Sequence, residues 1–394
     1  MLPNPKRDTA AKAANAELKK KSVMVIAGEL SGDLHAAALV RALRKRDREV
    51  GFFGIGGDEL KKAGMEISVH SRDMAVLGVS EVLRKYFFFR KTFHAMLALL
   101  KERRPDAVLL VDYPGFNLPF AKEARKLGFK VVYYICPQVW AWNRRRIPAL
   151  ASSVNRLIAI FPFEPAVFAG TGLKVDFVGH PLVEKAEAAR AEPMTSLPWN
   201  GSPQVALLPG SRQQEVNLIL PEMIKAAAIL KKKLPAGGFI IAAASPEAGE
   251  LIERILAEMK LSGQFAVVEG RTRQVLRQAR AAWVCSGTAT IETALMQCPM
   301  VVVYRVRLLT YLAGRMLIRV PFLGMVNIVA GKQVCPELLQ NDATPEKLAQ
   351  AIEPLLIDTQ ARNNMINELG RVRNILGAPG AGERAAKILL QELA

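Results

Sequence analysis

The sequence predicts an α/β fold with two doubly wound, Rossmann-like domains that face each other across a cleft. The chain has 394 residues, too many for one ordinary core and enough for two domains of about 150–200 residues each. Short apolar runs alternate with amphipathic stretches, as in strand–helix units of a parallel sheet. The alternation stops over residues 183–203 and then restarts.

The first half of the chain contains apolar runs of strand length separated by helical patterns such as Leu34–Lys45 and Phe120–Leu127. The predicted strands are Val23–Ala27, Val50–Phe53, Ala107–Val111, Lys130–Ile135, Arg156–Ile160 and Lys174–Val178. We therefore expect a first domain over residues 22–182. Residues 1–21 are rich in Lys and Ala and predict a polar N-terminal extension, and the polar, then Pro- and Gly-rich stretch 183–203 predicts a linker.

The second half repeats the pattern. Its predicted strands are Val205–Leu208, Phe239–Ala243, Phe265–Val268, Ala281–Val284 and Met300–Tyr304, and its predicted helices include Pro221–Lys232, Glu247–Met259 and Glu383–Leu393. Residues 204–375 are expected to form a second domain. The last segment, 376–394, predicts a helix that packs back on the first domain or on a partner chain, which leaves a homodimer open.

The composition is basic, with a formal net charge of +18 and a pI of about 9.9. This balance favours anionic partners, namely nucleic acid, anionic lipid or phosphorylated substrates. The aromatic residues form no RNA-stacking strand and the basic residues are spread along both halves, so we expect no nucleic-acid partner. No apolar run reaches the roughly 18 residues of a spanning helix, and the scattered His and Cys residues form no zinc motif.

Three strand-to-helix junctions are rich in small and hydroxyl residues: Ala27–Asp33, Leu208–Arg212 and Cys285–Glu292. Small residues allow backbone N–H groups to approach a ligand, and a helix N-terminus favours an anion. None of the junctions is a P-loop, because no Gly-Lys-Ser/Thr follows, and Gly54–Gly57 lacks the third glycine of a dinucleotide fingerprint. Ordinary capped turns use the same residue types, so each loop alone is a weak signal.

Two side chains in the second half strengthen the case for a ligand. Arg212 follows a Pro-Gly-Ser turn at a predicted helix start, where it can make charge-assisted bonds to a phosphate. Glu292 lies one helical turn after Thr288, where it can accept bonds from ribose hydroxyls. A surface arginine and a glutamate that complements the helix dipole are the alternatives. Together the residues predict a nucleoside-diphosphate site in the second domain.

In the first half, Asp112 ends an apolar strand and would lie at the edge of the cleft. A carboxylate there can act as a general base toward a sugar hydroxyl, or it can cap the turn that follows. Trp140 and Trp142 then suit a sugar or acyl contact, or packing under a loop. The run Arg144–Arg146 suits a substrate phosphate or anionic lipid headgroups, or it is a solvated surface.

The stretch Ser80–Lys101 predicts a helix with two apolar faces. One stripe is ordinary core: Val82, Tyr86, Phe89, Phe93, Met96, Leu97 and Leu100. Outside this stripe, apolar and basic residues alternate: Leu83, Phe87, Phe88, Arg84, Arg90 and Lys91. This mixture predicts an anchor on anionic lipid. Packing against a second element or a dimer partner is the alternative.

A set of motifs gives the chain a family resemblance. They are GELSGD (28–33), VDYPGFN (111–117), VWAW (139–142), FPFE (161–164), GHP (179–181), LLPGSR (207–212), SGTATIE (286–292), CPMVVVYR (298–305) and NIVAG (327–331). In this order, over about residues 22–390, they resemble the lipid-A-disaccharide synthases, which are inverting GT-B glycosyltransferases of lipid A biosynthesis in Gram-negative bacteria.

The resemblance implies that UDP-2,3-diacylglucosamine and 2,3-diacylglucosamine 1-phosphate react to give a β-1′,6-linked disaccharide 1-phosphate and UDP. It implies a peripheral enzyme at the cytoplasmic side of the inner membrane, without metal or cofactor. It supports Asp112 as the base and Arg212 as a catalytic residue. The remaining implied site residues are Gly210, Ser211, Ser286, Gly287, Thr288, Glu292 and Asn327 for UDP, and Gly28, Glu29, Ser31, Gly32, Asp33 and Trp140 for the donor and acceptor.

Two features depart from the family pattern. Gly115 stands where some members carry a second acid, and residues 1–21 lie outside the match. A muramyl-type N-acetylglucosaminyltransferase or a UDP-sugar 2-epimerase would share the second-domain loops, although the VWAW stretch and the aromatic–basic helix argue against a water-soluble substrate. A non-catalytic basic protein that binds membrane or nucleic acid is the alternative of a different class.

Overall fold

The computed structural model describes residues 21–74, 79–142, 144–307, 311, 320–357 and 359–394. These residues form two α/β domains, each built on a parallel sheet, as the alternating pattern predicts. The predicted N-terminal extension lies outside the described residues, apart from Lys21.

The first sheet has the strand order β3-β2-β1-β4-β5-β6-β7. Its strands are β1 (Ser22–Ala27), β2 (Gly51–Gly56), β3 (Glu66–His70), β4 (Ala107–Val111), β5 (Val131–Tyr134), β6 (Arg156–Ala159) and β7 (Lys174–Phe177). The central strand β4, and β1 from Val23 onward, are buried hydrophobic runs, as expected for a sheet covered on both faces. The sequence missed β3, an edge strand with partly exposed residues and no continuous apolar run.

Helices cover both faces of this sheet. They are α1 (Leu30–Arg46), α2 (Asp58–Lys62), α3 (Ser71–Met74), α4 (Val79–Arg103), α5 (Pro114–Lys126), α6 (Val139–Trp142), α7 (Ile147–Ser153) and α8 (Glu164–Val167). Residues of α4, α5 and α7, among them Met96, Phe120 and Leu150, pack on one face. Leu39, Val40 and Leu43 of α1 pack on the other. A 3-10 turn, Arg144–Arg146, connects α6 to α7.

The second sheet has the order β10-β9-β8-β11-β12-β13. Its strands are β8 (Gln204–Leu208), β9 (Gly238–Ala243), β10 (Ala266–Glu269), β11 (Ala281–Cys285), β12 (Met300–Tyr304) and β13 (Glu337–Leu339). Its core includes the fully buried Trp283, whose indole Nε1 donates a hydrogen bond to the Leu348 carbonyl at 3.0 Å. The sequence missed β13, which has only three residues.

The remaining helices follow the order of the chain. They are α9 (Leu182–Ala191), α10 (Gln213–Lys233), α11 (Pro246–Glu258), α12 (Thr272–Gln278), α13 (Thr288–Leu295), α14 (Met325–Ala330), α15 (Pro345–Leu356), α16 (Gln360–Ile375) and α17 (Ala381–Leu393). A second 3-10 turn spans Gln340–Asp342.

The first part of the predicted linker is a helix. α9 covers residues 182–191 and packs on α12 and α13 of the second domain, and Arg190 Nη2 lies 2.5 Å from Gln297 Oε1. Its buried residues are Leu182, Val183, Ala186 and Ala189, spaced at helical intervals. Alanines between charged residues gave too weak an apolar signal for the sequence to predict this helix.

The chain also returns to the first domain. α17 packs on α1, and the guanidinium of the buried Arg156 pairs with Asp176 of β7 at 2.5 Å and with Glu392 of α17 at 3.0 Å. This is one of the two arrangements that the sequence left open. Because α17 buries its apolar face within the chain, it gives no support for the homodimer that the sequence left open.

Each sheet has one point where the strand order reverses, between β1 and β4 in the first and between β8 and β11 in the second. Ligands of open α/β sheets bind in the crevice beyond the carboxyl ends of the strands at such points. The three predicted glycine loops follow β1, β8 and β11, and Asp112 follows β4. The topology therefore brings the main predicted site elements to the two switch points.

Candidate functional site

Asp112 has an uncommon backbone conformation. Its φ is +47° and that of Tyr113 is +49°, in the left-handed region that non-glycine residues rarely occupy. The surrounding hydrogen bonds fix this conformation: the Asp112 N–H donates to the Tyr134 carbonyl at 3.0 Å, and the Asp112 carbonyl accepts from the Tyr133 hydroxyl at 2.6 Å and from Asn117 Nδ2 at 2.7 Å. Strain that is held this firmly at a strand end is typical of functional sites.

Asp112 is partly exposed at the carboxyl end of β4. Burial, and then the negative charge of Glu29, raise its pKa to about 6, although the Tyr113 backbone N–H bond acts in the opposite direction. The following helix, α5, has Tyr113 as its N-cap and no side-chain capping bond. A carboxylate with a pKa just below neutrality that is not used as a helix cap suits a general base.

The loop after β1 presents some of its residues to the cleft and uses others for the fold. Glu29, Leu30 and Ser31 are exposed, Leu30 to 74%, whereas Gly28 and Gly32 are buried. Sequence reasoning missed Leu30; an apolar residue between polar neighbours in a glycine loop was the available signal. An exposed leucine beside the strand switch point suits contact with an acyl chain.

Two residues predicted to contact substrate are buried supports, and these predictions need correction. Asp33 is 1% exposed, and its carboxylate accepts bonds from the N–H groups of Gly57, Glu59 and Leu60, so it caps α2. Trp140 is 3% exposed, and its indole Nε1 donates to Glu164 Oε1 at 3.3 Å. Neither side chain has free surface for a ligand.

Glu164 is a buried site element that sequence reasoning did not single out. Its carboxylate accepts bonds from the Ile160 and Phe161 N–H groups as well as from Trp140. Burial raises the pKa of Glu164 to about 7, although these hydrogen bonds act to lower it. The Trp140 ring also packs edge-on against Phe163, with ring centroids 4.8 Å apart. The loop after β5 is thereby fixed to the loop after β6.

In the second domain, Glu215 shapes the turn after β8. Its Oε2 accepts bonds from the N–H groups of Ser211 and Arg212, and its Oε1 pairs with Arg212 Nη1 at 2.9 Å. Gly210 has a φ of +119°, which a larger residue would rarely adopt. Because the Arg212 side chain is 78% exposed and has one ion pair, most of its donors remain available to a phosphate.

The loop after β11 presents an open backbone. The Ser286 hydroxyl donates to the Leu323 carbonyl at 2.8 Å, Gly287 has a φ of +143° with open space where a Cβ would lie, and Thr288 is exposed at the start of α13. Glu292 pairs with Arg273 on α12 at 2.7 Å, so a ribose would share this carboxylate with Arg273. This arrangement suits an anion over Gly287 and Thr288.

Asn327 is the third predicted contact that needs correction. It has no exposed surface, and its Nδ2 donates to the Cys335 carbonyl and to Glu337 Oε1 while its Oδ1 accepts from the Val334 and Cys335 N–H groups. Its amide is fully used within the protein. Asn327 therefore supports the segment before β13 and does not itself reach a nucleotide.

Glu29 connects the two halves of the site. Its negative charge contributes to raising the pKa of Asp112 in the first domain and also the pKa of Arg212 in the second. Because such an influence falls off over roughly 10 Å, Glu29 lies near the ends of both β4 and β8. A base and a phosphate-binding cation on opposite walls can activate a hydroxyl on one side and stabilise a leaving group on the other.

The comparisons with known proteins identify the family. The model of the lipid-A-disaccharide synthetase family matches residues 23–379. The chain belongs to this family. Lipid-A-disaccharide synthases from Syntrophus aciditrophicus and Myxococcus xanthus are 42% and 39% identical to it, over 95% and 94% of this chain and 98% and 97% of theirs. The synthase from Geobacter metallireducens is 40% identical over 95% of this chain and 97% of its own length.

Solved structures support the GT-B fold of this lipid-A-disaccharide synthase family member. The S. aureus MnaA–UDP co-structure has a TM-score of 0.64 at 14% identity and covers 94% of this chain and 97% of its own. Acinetobacter baumannii MurG has a TM-score of 0.55 at 16% identity, over 94% of this chain and 99% of its own. At these identities the likeness concerns the fold alone.

The aromatic–basic helix α4 is only partly as predicted. Met96 and Leu100 are buried in the core, but Tyr86, assigned to the core stripe, is 54% exposed. It lies with Phe87 and Phe88, which are 77% and 38% exposed, and Arg90 and Lys91 are exposed beside them. The side chain of Leu83 lies outside the described residues. No described helix of this family member is long and apolar enough to cross a bilayer.

The close approach of Gly28 and Tyr113 gives a testable consequence. A Cβ at residue 28 would overlap the Tyr113 ring, whose hydroxyl is fixed to the Met74 carbonyl at 2.9 Å. Gly28→Ala should therefore destabilise the protein by about 1–3 kcal/mol and lower turnover, because Asp112 moves with Tyr113. Gly115→Ala is the control, since nothing lies within 4 Å of a Cβ there. Urea unfolding and turnover that are the same for both variants would contradict this packing.

Proposed function

We propose that this chain transfers 2,3-diacylglucosamine from its UDP donor to the 6-hydroxyl of 2,3-diacylglucosamine 1-phosphate, giving the β-1′,6-linked disaccharide 1-phosphate and UDP. The observation that carries the proposal is that Glu29 acts on the pKa of both Asp112 in the first domain and Arg212 in the second, in a member of this family. The donor UDP would lie over Gly210, Ser211 and the loop 286–288. The acceptor would enter between the loops after β1 and β4.

The reaction requires one displacement. Asp112 takes the proton from the acceptor 6-hydroxyl, and the oxygen attacks the anomeric carbon of the donor. The bond from that carbon to the β-phosphate oxygen breaks, and the electron pair leaves with UDP. Arg212 and the backbone N–H groups at the start of α13 stabilise the charge on the departing diphosphate. A single attack opposite the leaving group inverts the anomeric centre.

The proposal is tested by UDP release from the purified protein in mild detergent. We expect release from UDP-2,3-diacylglucosamine only when the monosaccharide 1-phosphate is present, at the same rate with and without EDTA. Acceptor-independent release, or conversion of the donor to its 2-epimer, would favour a different UDP-sugar reaction. A folded protein that does not bind UDP would exclude a glycosyltransferase.

The same assay has a predicted pH dependence. Because the pKa of Asp112 is raised to about 6, the carboxylate is increasingly protonated as the pH falls below this value and cannot accept a proton. We expect kcat/KM to fall about tenfold for each pH unit below about 6, and to be flat between pH 7 and 8. A profile that stays flat down to pH 4.5 would show that no group with this pKa must be ionised.

We also propose that α4 docks on an anionic membrane, which would deliver the acylated substrates to the cleft. The strongest support is the exposed cluster Tyr86, Phe87 and Phe88 with the cations Arg90 and Lys91. α4 runs antiparallel to the strands, so its first turns lie toward the carboxyl edge of the sheet, on the side of Asp112. The net charge of +18 has the sign that anionic headgroups attract.

This docking predicts that Phe87→Glu weakens binding to anionic vesicles roughly tenfold or more, because one aromatic side chain is withdrawn from the bilayer interface and a negative charge is added. Leu127→Glu is the matched control: Leu127 is 40% exposed but follows α5 at the opposite edge of the sheet. Vesicle co-sedimentation measures both variants. Equal binding by both would show that α4 is not the membrane contact.

A further inference from the structure

The 3-10 turn Arg144–Arg146 presents three exposed arginines in succession. Among the residues that the structure describes, no carboxylate lies within ion-pair distance of Arg144 or Arg145. Other arginines of the chain have such partners, as Arg103 has with Glu66. Each guanidinium carries five donors in a planar fork that matches phosphate oxygens. Arg144 and Arg145 are therefore two adjacent cations with no carboxylate partner among the described residues.

The turn rests on a rigid base. Arg144 Nε donates to the Trp140 carbonyl at 3.4 Å, and the buried Trp140 is in turn held by Glu164 and by the Phe163 ring. A solvated surface turn needs no such support. A turn held on a buried tryptophan keeps its side chains near one place, which reduces the entropy lost when an anion binds.

The turn belongs to the same edge of the sheet as Asp112. β5 pairs with β4, with Tyr134 opposite Val111, so the loop that follows β5 starts beside Asp112. Cys136 lies in the first turn of this loop. Burial and then Glu164 raise the pKa of the Cys136 thiol, and the negative charge of Asp112 adds to this shift, so Cys136 lies near Asp112. The other end of the loop carries the arginines. The loop thus connects the base to the cationic turn along one wall.

We propose that Arg144 and Arg145 bind the phosphomonoester of the sugar acceptor and so present its far hydroxyl to Asp112. The inference rests on the proposed function. The donor diphosphate is assigned to Arg212 and the loops of the second domain, so an acceptor phosphate held in the first domain needs its own cations. The residues expected to enter the membrane lie on α4, a different element, so the turn is assigned to substrate and not to lipid headgroups.

The test compares two acceptors that differ only in the phosphate, 2,3-diacylglucosamine 1-phosphate and 2,3-diacylglucosamine, in neutral detergent micelles. For the wild type, kcat/KM should be much higher with the phosphorylated acceptor. In the double variant Arg144→Gln, Arg145→Gln this preference should fall roughly 30-fold or more, because charge-assisted bonds to the phosphate are lost. Activity with the unphosphorylated acceptor and the KM for the donor should not change.

Two further variants isolate the cause. In Arg145→Gln alone, the preference for the phosphorylated acceptor should fall several-fold. The Arg145 side chain makes no hydrogen bond or ion pair within the described residues, so this substitution breaks no contact of the fold. Arg125→Gln removes an equally exposed charge of the same domain from the last turn of α5, at the other edge of the sheet, and should behave as wild type.

The possible results separate the explanations. An equal loss of kcat/KM with both acceptors would show that the turn only supports the loop. A loss of kcat/KM seen only on anionic vesicles would show that the turn binds lipid headgroups. Either result overturns the inference while the proposed function stands. A wild type that does not distinguish the two acceptors also overturns it. If the wild type releases no UDP with either acceptor, the proposed function itself fails.

Discussion

Replacing Asp112 by asparagine is expected to lower kcat by a factor of roughly 10² to 10⁴, the usual contribution of a general base, and to leave UDP binding unchanged. The amide has nearly the shape of the carboxylate but cannot take the proton of the acceptor hydroxyl. Single-turnover measurement with saturating substrates reports the chemical step, and UDP titration reports binding. Loss of both in a folded variant would indicate that Asp112 shapes the cleft instead.

Stability measurements on the same variant distinguish a base from a turn cap. The pKa of Asp112 is about 6 in the folded protein against an ordinary 3.8, so the folded state favours the protonated form. The contribution of this group to the free energy of unfolding is fully present below pH 3.8. It is lost as the pH rises through about 6, and the total loss is about 3 kcal/mol. Asp112→Asn removes this penalty, so the variant should exceed the wild type in stability at pH 8 by more than at pH 5. A structural cap would instead lose about 0.5–2 kcal/mol on replacement by alanine.

Arg212→Ala is the second large effect that we expect. The loss of the main cation at the leaving diphosphate should lower kcat/KM by roughly 10² to 10³ and weaken UDP binding. Stability should change by only about 0.5 kcal/mol, because the side chain is 78% exposed and its pair with Glu215 spans three residues of a helix start. Isothermal titration with UDP and urea unfolding measure the two quantities separately.

Arg371 provides a matched control for this substitution. It forms the same kind of pair, with Glu368 three residues earlier on α16, and its side chain is 69% exposed. Arg371→Ala should therefore have the same small effect on stability and none on turnover. If both variants lost activity equally, the effect of Arg212 would be a general consequence of removing a surface cation, not a contact with the diphosphate.

The sequence predicted the sheets well because buried parallel strands are continuous apolar runs. Ala107–Val111 and Met300–Tyr304 were predicted at their observed bounds. The edge strand β3 and the short β13 were missed because they are half-buried and lack such a run. The sequence predicts a linker in place of most of α9 because two of its four buried residues are alanines, which lack the contrast of larger apolar residues.

For the candidate site, the sequence predicted the positions of the loops better than it predicted which side chains face the cleft. The strand ends locate Asp112, Arg212 and the loop 286–288 from the alternation alone. Residue type does not show whether a polar side chain faces the cleft or is used inside the protein. Asp33 and Asn327 have buried backbone partners that come from segments far along the chain or across a loop, and no local pattern reveals them. The same reason hid Glu164, whose partner Trp140 lies 24 residues away.

The structure of the reaction product tests the proposed transfer most directly. Both substrates would be incubated with the purified chain, and the lipid product isolated for mass spectrometry and NMR of the anomeric proton and the linked carbon. We predict one β-1′,6-linked tetraacyl disaccharide 1-phosphate for each UDP released, and none with Asp112→Asn. Free diacylglucosamine, a 2-epimerised donor or an α-linked product from the wild type would contradict an inverting transfer by Asp112.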